Sequence, residues 1–319
     1  MYKIIHNIIH NIGIKVLICK KWNSYVIIKT RVNLKKYKVK CKWGIGMKYK
    51  LIVSDMDGTL LGDNHKITEE NKIALSKALE KGVKIVPASG RIYNSAREHF
   101  DFLDINTPLI ACNGAIIKET KTNKLIYKNN IPNDICLKII DIFEKNEVYY
   151  QLYSENTMMC KNLSKEDQRR TKERLKNFFN DDINVHFGDD LKEEVAKHKI
   201  LKIIAIDDHD MDKLKKVKED LAQIEDIETT SSWFNNVEIM HKGVNKGEAL
   251  KALIKYLGID KEDVIAFGDN YNDLPMLELA GMGVVMGNAD DEVKEKGDYV
   301  TAKNTENGVA KAIYKFLEI

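Results

Sequence analysis

From residue 47 onward the chain alternates short apolar runs with segments of helical period, a rhythm that points to a parallel sheet covered by helices on both faces. Leu51–Ser54 is an apolar run that stops at Asp55. Thr68 then opens a helix whose apolar positions Ile73, Leu75 and Leu79 lead to a stop at Gly82. Val83–Ala88 and Leu109–Cys112 read as the next buried strands. The same rhythm returns towards the C-terminus. Lys246–Leu257 is an expected helix with Leu250, Leu253, Ile254 and Leu257 on one face and Gly258 at its end. Val264–Phe267, Gly283–Met286 and Tyr299–Thr301 are expected strands, and Leu274–Ala280 a helix. A last helix carries Val309, Ile313, Phe316 and Leu317.

Between Ile131 and Val237 the pattern changes. Strand-like runs (Val148–Tyr153, Ile200–Ile206) alternate there with charged helical stretches such as Ser164–Phe179 and Met211–Leu221. The expected fold class is therefore α/β, a Rossmann-like parallel sheet core with an inserted α+β domain. Residues 47–130 and 238–319 would form the core and 131–237 the insertion.

The net charge of +3 hides an asymmetry: residues 1–46 hold eleven Lys or Arg and no acid, so removing those eleven charges leaves −8 for 47–319. An acidic globular part is a poor partner for nucleic acid. The basic stretch could be a targeting segment or a membrane-surface arm, but we expect translation to start at Met47, with 1–46 poorly ordered. None of its apolar runs approaches the roughly 20 residues of a membrane span. Five scattered cysteines, with no C-x-x-C spacing, fit a reducing cytoplasm and neither a disulfide framework nor a zinc site. The sequence sets no oligomeric state.

Four strand ends carry chemistry. In open parallel sheets, ligands bind beyond the carboxyl ends of the strands. D-M-D-G-T (Asp55 to Thr59) sits at such an end, where two adjacent carboxylates repel and call for a hard cation; Mg2+ tolerates phosphate in its shell. An Asp is a competent nucleophile towards phosphorus, and a second acid can protonate the leaving alkoxide and then activate water. Alone, the motif is equally a turn, which Asp and Gly favour. S-G-R places Ser89 and Gly90 where a strand gives way to a helix, an anion site or a plain N-cap. Lys246 opens a helix, where a cation opposes the dipole, so a purely structural Lys is disfavoured and a buried anionic phosphate would explain it. G-D-N-Y-N-D brings Asp269, Asn272 and Asp273 to another strand end.

D-M-D-G-T, S-G-R, N-K-G and G-D-N-Y-N-D together resemble the four motifs of the haloacid dehalogenase superfamily, in the order and with the insertion of its Cof-type phosphatases. The resemblance spans Met47 to the C-terminus and implies hydrolysis of small phosphomonoesters such as sugar phosphates. It implies Asp55 as nucleophile and Mg2+ ligand, and Asp57 as acid/base that also binds metal through its carbonyl. Asp269 would complete the metal site, with Asp273 behind it. Ser89, Lys246, Asn272 and the backbone N–H groups of Met56 and Gly90 would hold phosphate. Ser89 stands where these relatives often carry Thr, and residues 1–46 have no counterpart. The second acid, Asp57, favours phosphoryl transfer over dehalogenation, because a halide leaves without a proton. A phosphomutase, or a non-catalytic phosphosugar-binding regulator, remains an alternative.

In this family the insertion is a cap that excludes water and reads the leaving group. The partner expected is a small phosphorylated metabolite. Arg91, Asn113 and Gly114 are candidate substrate contacts on the core side, and Tyr150, Tyr153 and Lys202 in the cap, although strand tyrosines commonly serve packing. His241 reads as a polar loop residue, and Asp181–Asp182 and Asp189–Asp190 as solvated surface.

Overall fold

A computed structural model of the chain describes residues 48–161, 184–207 and 209–319. The basic stretch 1–46, the expected helix Ser164–Phe179 and the pair Asp181–Asp182 lie outside the described residues. In chain order the strands are β1 (Leu51–Ser54), β2 (Lys84–Pro87), β3 (Pro108–Ala111), β4 (Ile116–Glu119) and β5 (Leu125–Lys128). Then come β6 (Tyr149–Tyr153), β7 (Thr157–Lys161), β8 (Asn184–Gly188), β9 (Lys202–Ile206), β10 (Ile227–Thr230) and β11 (Asn236–His241). The chain returns through β12 (Val264–Gly268), β13 (Met282–Val285) and β14 (Tyr299–Val300).

The core sheet has the order β14-β13-β12-β1-β2 and every pairing in it is parallel. Strand β1 is central, and its four residues are all buried because both faces are covered. Leu51 and Val53 pack with Leu250, Leu253 and Leu277 on one side, and Ile52 packs with Leu75, Ile313 and Leu317 on the other. That two-sided burial is why the strand reads as a continuous apolar run rather than an alternating one. Ser54 is level with Phe267 on β12 and Pro87 on β2, so the chain after each of these strands emerges at one sheet edge.

The insertion forms a second, six-stranded sheet, β10-β11-β9-β6-β7-β8, antiparallel except for β7 against β8. Ile135, Ile139 and Phe143 of the helix Asn133–Lys145, with Leu214 and Val217 of the helix Met211–Leu221, cover one face. Tyr153, Met158, Cys160 and Met240 join the apolar cluster of the core instead, so the other face is a cap on it. Strand β11 continues to His241, beyond the expected boundary at 237/238.

The helix after Thr68 begins as expected, with the Thr68 hydroxyl accepting from the Asn71 N–H at 3.2 Å. Its buried face is Ala74, Leu75 and Ala78, and Ile73 is exposed: small residues let this helix sit close to the sheet. Strand β3 meets the parallel core at the isolated Ala88–Ile110 bridge and pairs antiparallel with β4. No helix among the described residues is long and apolar enough to cross a membrane.

Candidate active site

Three loops meet at the carboxyl ends of β1, β2 and β12, and helix Lys246–Leu257 points its first residue at them. Asp55 directly follows β1, and its backbone N–H donates to Phe267 of β12 at 2.9 Å. Lys246 is fully buried, and its ammonium donates to Asp55 Oδ1 at 2.6 Å and to Asp273 Oδ1 at 2.6 Å. Asp269 accepts from the Thr59 hydroxyl at 2.7 Å. Carboxylate oxygens of Asp55, Asp269 and Asp273 lie within 4.8 Å of one another.

Three carboxylates gather around one ammonium here, and the imbalance shows in the acidities of Asp55 and Asp269. Burial, then the charge of Asp273, raises Asp55 well above the carboxylate range despite Lys246. The same two causes push Asp269 up to about 7. Burial would depress Lys246, but the carboxylates of Asp273 and Asp55 outweigh it and raise its pKa. A divalent cation beside Asp55 and Asp269 would relieve this excess of negative charge. Asp273 is less suited to hold it: its Oδ1 is taken by Lys246, and its Oδ2 accepts from the N–H groups of Asp269 and Asn270, each at 3.0 Å. The residues present therefore fit a hard cation, with Asp273 fixing the loop behind it.

Asp57 faces elsewhere. Its half-exposed carboxylate receives a bidentate fork from Arg91, at 2.7 Å from Nε and 2.5 Å from the second nitrogen. Burial pulls its pKa up, but the hydrogen bonds and charge of Arg91 win and hold it below the ordinary value. Arg91 is itself buried and also contacts His99 Nε2 at 3.1 Å; burial and the Arg91 charge press His99 down to about 4. Arg91, a candidate substrate contact by sequence, is thus committed to Asp57.

Ser89 is fully buried but caps no helix, because the next one begins at Tyr93 with Ile92 as its N-cap. Its hydroxyl closes a turn by accepting from the Arg91 N–H at 3.1 Å. Asn272 donates to Asn113 Oδ1 at 3.2 Å, and Gly114 packs against the backbone of Asn245. The Asn113 amide donates to buried Glu238 of the cap. Lys202 is buried against Glu238 and the Gly90 carbonyl, at 3.0 and 2.8 Å. Tyr150 bonds to Glu144 within the cap, and Tyr153 donates to Gln151 at 2.7 Å. His241 ends β11 and pairs with Asn129 at 2.8 Å; Asp189 and Asp190 are exposed.

Thr59, Glu238 and Asn270 were not singled out from sequence. Asn270 ties the strand-end loop to the cap, donating to the Ser232 carbonyl at 2.9 Å. The legible signal for Glu238 was an acid inside the apolar run Val237–Met240, where only a partner could keep it.

The family model described as haloacid dehalogenase-like hydrolase matches residues 52–313. The chain belongs to the haloacid dehalogenase-like hydrolases. Among its curated relatives, a 5-amino-6-(5-phospho-D-ribitylamino)uracil phosphatase of Bacillus subtilis is 35% identical over 83% of this chain and 94% of its own length. A pyridoxal phosphate phosphatase of Escherichia coli is 28% identical over 85% of this chain and 100% of its own. The solved structure of a haloacid dehalogenase-like hydrolase from B. subtilis superposes with a TM-score of 0.75 at 28% identity, covering 84% of this chain and 100% of that one. The chain is an enzyme of the phosphatase branch of this superfamily.

In this hydrolase the turn after Asp57 tolerates no side chain. Gly58 has φ of +81°, and a Cβ there would land inside the Asp269 carboxylate. Gly58→Ala is expected to lose about 1–3 kcal/mol of stability and at least tenfold of turnover as Asp269 is pushed aside. Thermal melting and phosphate-release assays check both; an unchanged kcat would show that the Asp269 position is not required.

Proposed function

We propose that this enzyme hydrolyses small phosphomonoesters through an aspartyl-phosphate on Asp55, with Mg2+ as its metal. The observation that carries the reading is the meeting of Asp55, Asp269 and fully buried Lys246 beyond one sheet edge. Asp55 and Asp269 would hold the ion, with the Asp57 carbonyl, and its positive charge would steady the phosphoryl oxygens. Lys246 grips Asp55 Oδ1, which leaves Oδ2 to attack phosphorus. The P–O bond to the leaving group breaks as the new O–P bond forms, and protonated Asp57 gives its proton to the departing alkoxide. Ionised Asp57 then takes a proton from water, whose oxygen attacks phosphorus, releasing orthophosphate and restoring Asp55. The fork from Arg91 favours the ionised form used in this second half; the half-exposed carboxyl has to turn away from Arg91 to carry a proton in the first. Ser89, Lys246, Asn272 and the N–H groups of Met56 and Gly90 would bind the phosphoryl oxygens. The Ser54 hydroxyl donates to the Asp55 carbonyl at 2.8 Å, which turns the N–H of the same peptide, that of Met56, the other way.

For the leaving group we propose a phosphorylated sugar, polyol or related metabolite, supported by relatives named for a ribityl phosphate and for pyridoxal phosphate. The cap, which we place at 131–237 and extend through β11, would read it. Three buried, unpaired thiols, Cys112, Cys136 and Cys160, support a cytoplasmic setting. Purified enzyme is expected to release phosphate from p-nitrophenyl phosphate with Mg2+, to fall at least about 100-fold in EDTA, and to recover on adding Mg2+. Undiminished turnover in EDTA would sink the metal assignment. Positional isomers without free phosphate, in a panel of sugar phosphates, would assign a phosphomutase instead.

A further inference from the structure

Lys202 and Glu238 form an ion pair of 3.0 Å within the cap, and each residue is less than 5% exposed. Glu238 on β11 stands opposite Ile204 on β9, so Lys202, two residues along β9, shares its sheet face. A buried ion pair is weak ground for stability, because apolar side chains of similar volume commonly do as well. What distinguishes this pair is where its remaining hydrogen bonds go. Lys202 reaches out of the cap to the carbonyl of Gly90 at 2.8 Å. Glu238 holds the side-chain amide of Asn113, whose backbone N–H donates to the Ser89 carbonyl at 3.0 Å.

Both peptide groups flanking Gly90 are therefore fixed by the cap pair, one directly and one through Asn113. Glycine is the residue least able to hold its own conformation, so this loop needs such restraint. In a trans peptide the C=O and N–H point in opposite directions, so anchoring the Ser89 carbonyl on Asn113 aims the Gly90 N–H away from it. No acceptor for that N–H is found among the described residues. A side chain at 90 would crowd Asn113 Oδ1, at 2.8 Å from a Cβ. Asn113 also accepts from Asn272 at 3.2 Å, which ties the facing loop into the same chain of contacts.

We propose that Lys202 and Glu238 are positioning residues: when the cap is seated, they set the Gly90 amide for a phosphoryl oxygen, and neither contacts substrate. This rests on the reading of Ser89–Gly90 as the phosphate cradle. The phosphate site is then complete only with the cap in place, which couples tight phosphate binding to closure.

The test compares wild type with the charge-neutral double variant K202M/E238Q, with Lys202→Met and with Glu238→Gln, all in the full chain. Inorganic phosphate is titrated calorimetrically in Mg2+, alongside melting temperature and kcat on p-nitrophenyl phosphate. A purely structural pair predicts that the double variant regains wild-type melting and phosphate affinity together. Positioning predicts wild-type-like melting but a phosphate Kd raised at least about fivefold and kcat lowered about tenfold, matched in Kd by Lys202→Met. Glu238→Gln keeps the Lys202 donor and, through its carbonyl oxygen, an acceptor for the Asn113 amide, so it should hold Kd within about threefold. A wild-type Kd in the double variant overturns the proposal. So does a loss in Glu238→Gln equal to that of the double variant, which would assign the effect to general loosening of the cap. If wild type fails to turn over p-nitrophenyl phosphate, the catalytic reading falls, and the phosphate titrations still decide this one.

Discussion

Replacing Asp55 with Asn is expected to lower phosphate release from p-nitrophenyl phosphate by at least about 10⁴-fold while leaving the protein folded. The amide keeps the shape of the carboxylate and an oxygen that can still accept from Lys246, which donates to Asp55 Oδ1 at 2.6 Å. It lacks the lone-pair basicity and charge to displace an alkoxide from phosphorus. Stability should move little without metal, within about 1 kcal/mol, because two effects oppose each other. The ion pair with Lys246 weakens, but the repulsion of Asp55 by half-buried Asp269 and buried Asp273, all within 4.8 Å, is relieved. Adding Mg2+ separates the variants. Wild type should gain melting temperature by mass action, and Asp55→Asn should gain less because a proposed anionic ligand is gone. Near-normal turnover by Asp55→Asn would remove Asp55 as nucleophile. An equal Mg2+ shift in both proteins would remove it as a ligand.

Much of this site could be read from the chain because its determinants are local. Leu51–Val53 is apolar, and Ser54 after it is buried too, because β1 is covered on both faces, and the acid that ends it has to sit at the sheet edge. Lys246 opening a helix is unfavourable with the dipole, and its two carboxylate partners supply the reason. What was not legible depends on how close the strand ends come. Asp57 and Arg91 are 34 residues apart, and only the adjacency of β1 and β2 brings the fork onto the carboxylate. Asn113 and Lys202 looked like open polar groups facing substrate, because the sequence does not show that Glu238 and Gly90 occupy them. Ser89 is drawn into a turn by Arg91, since the helix starts three residues later than Ser89 as an N-cap would place it. Ile73 misled for a plainer reason: in the helix Glu69–Glu80, Ala74 and Ala78 beside Leu75 set the buried face, and size matters less there than close approach.

Lys246→Met is expected to destabilise the enzyme by about 3–5 kcal/mol in the absence of divalent metal, and to lower kcat by at least about 10²-fold. Lys246 is wholly buried, and Met has a similar length, so little packing is lost. The cost arises because Asp55 and Asp273, each at 2.6 Å from the ammonium, are left buried beside Asp269 with no cation among the three. At roughly 2–4 °C per kcal/mol for a domain of this size, the melting temperature should fall by about 6–20 °C. Mg2+ should recover part of that loss, since it supplies positive charge between Asp55 and Asp269, and should recover little activity. The second variant, K246M/D273N, separates charge from chemistry. Removing the carboxylate that Lys246 neutralised should restore about 1–3 kcal/mol relative to the single change, a coupling typical of residues in direct contact. Turnover should stay low, because the cation proposed to steady the phosphoryl oxygens, which also bonds Asp55, is still missing. A melting temperature within 2 °C of wild type for Lys246→Met, measured in chelator by calorimetry, would mean the three carboxylates do not need it. The excess negative charge invoked for the metal would then have no structural support.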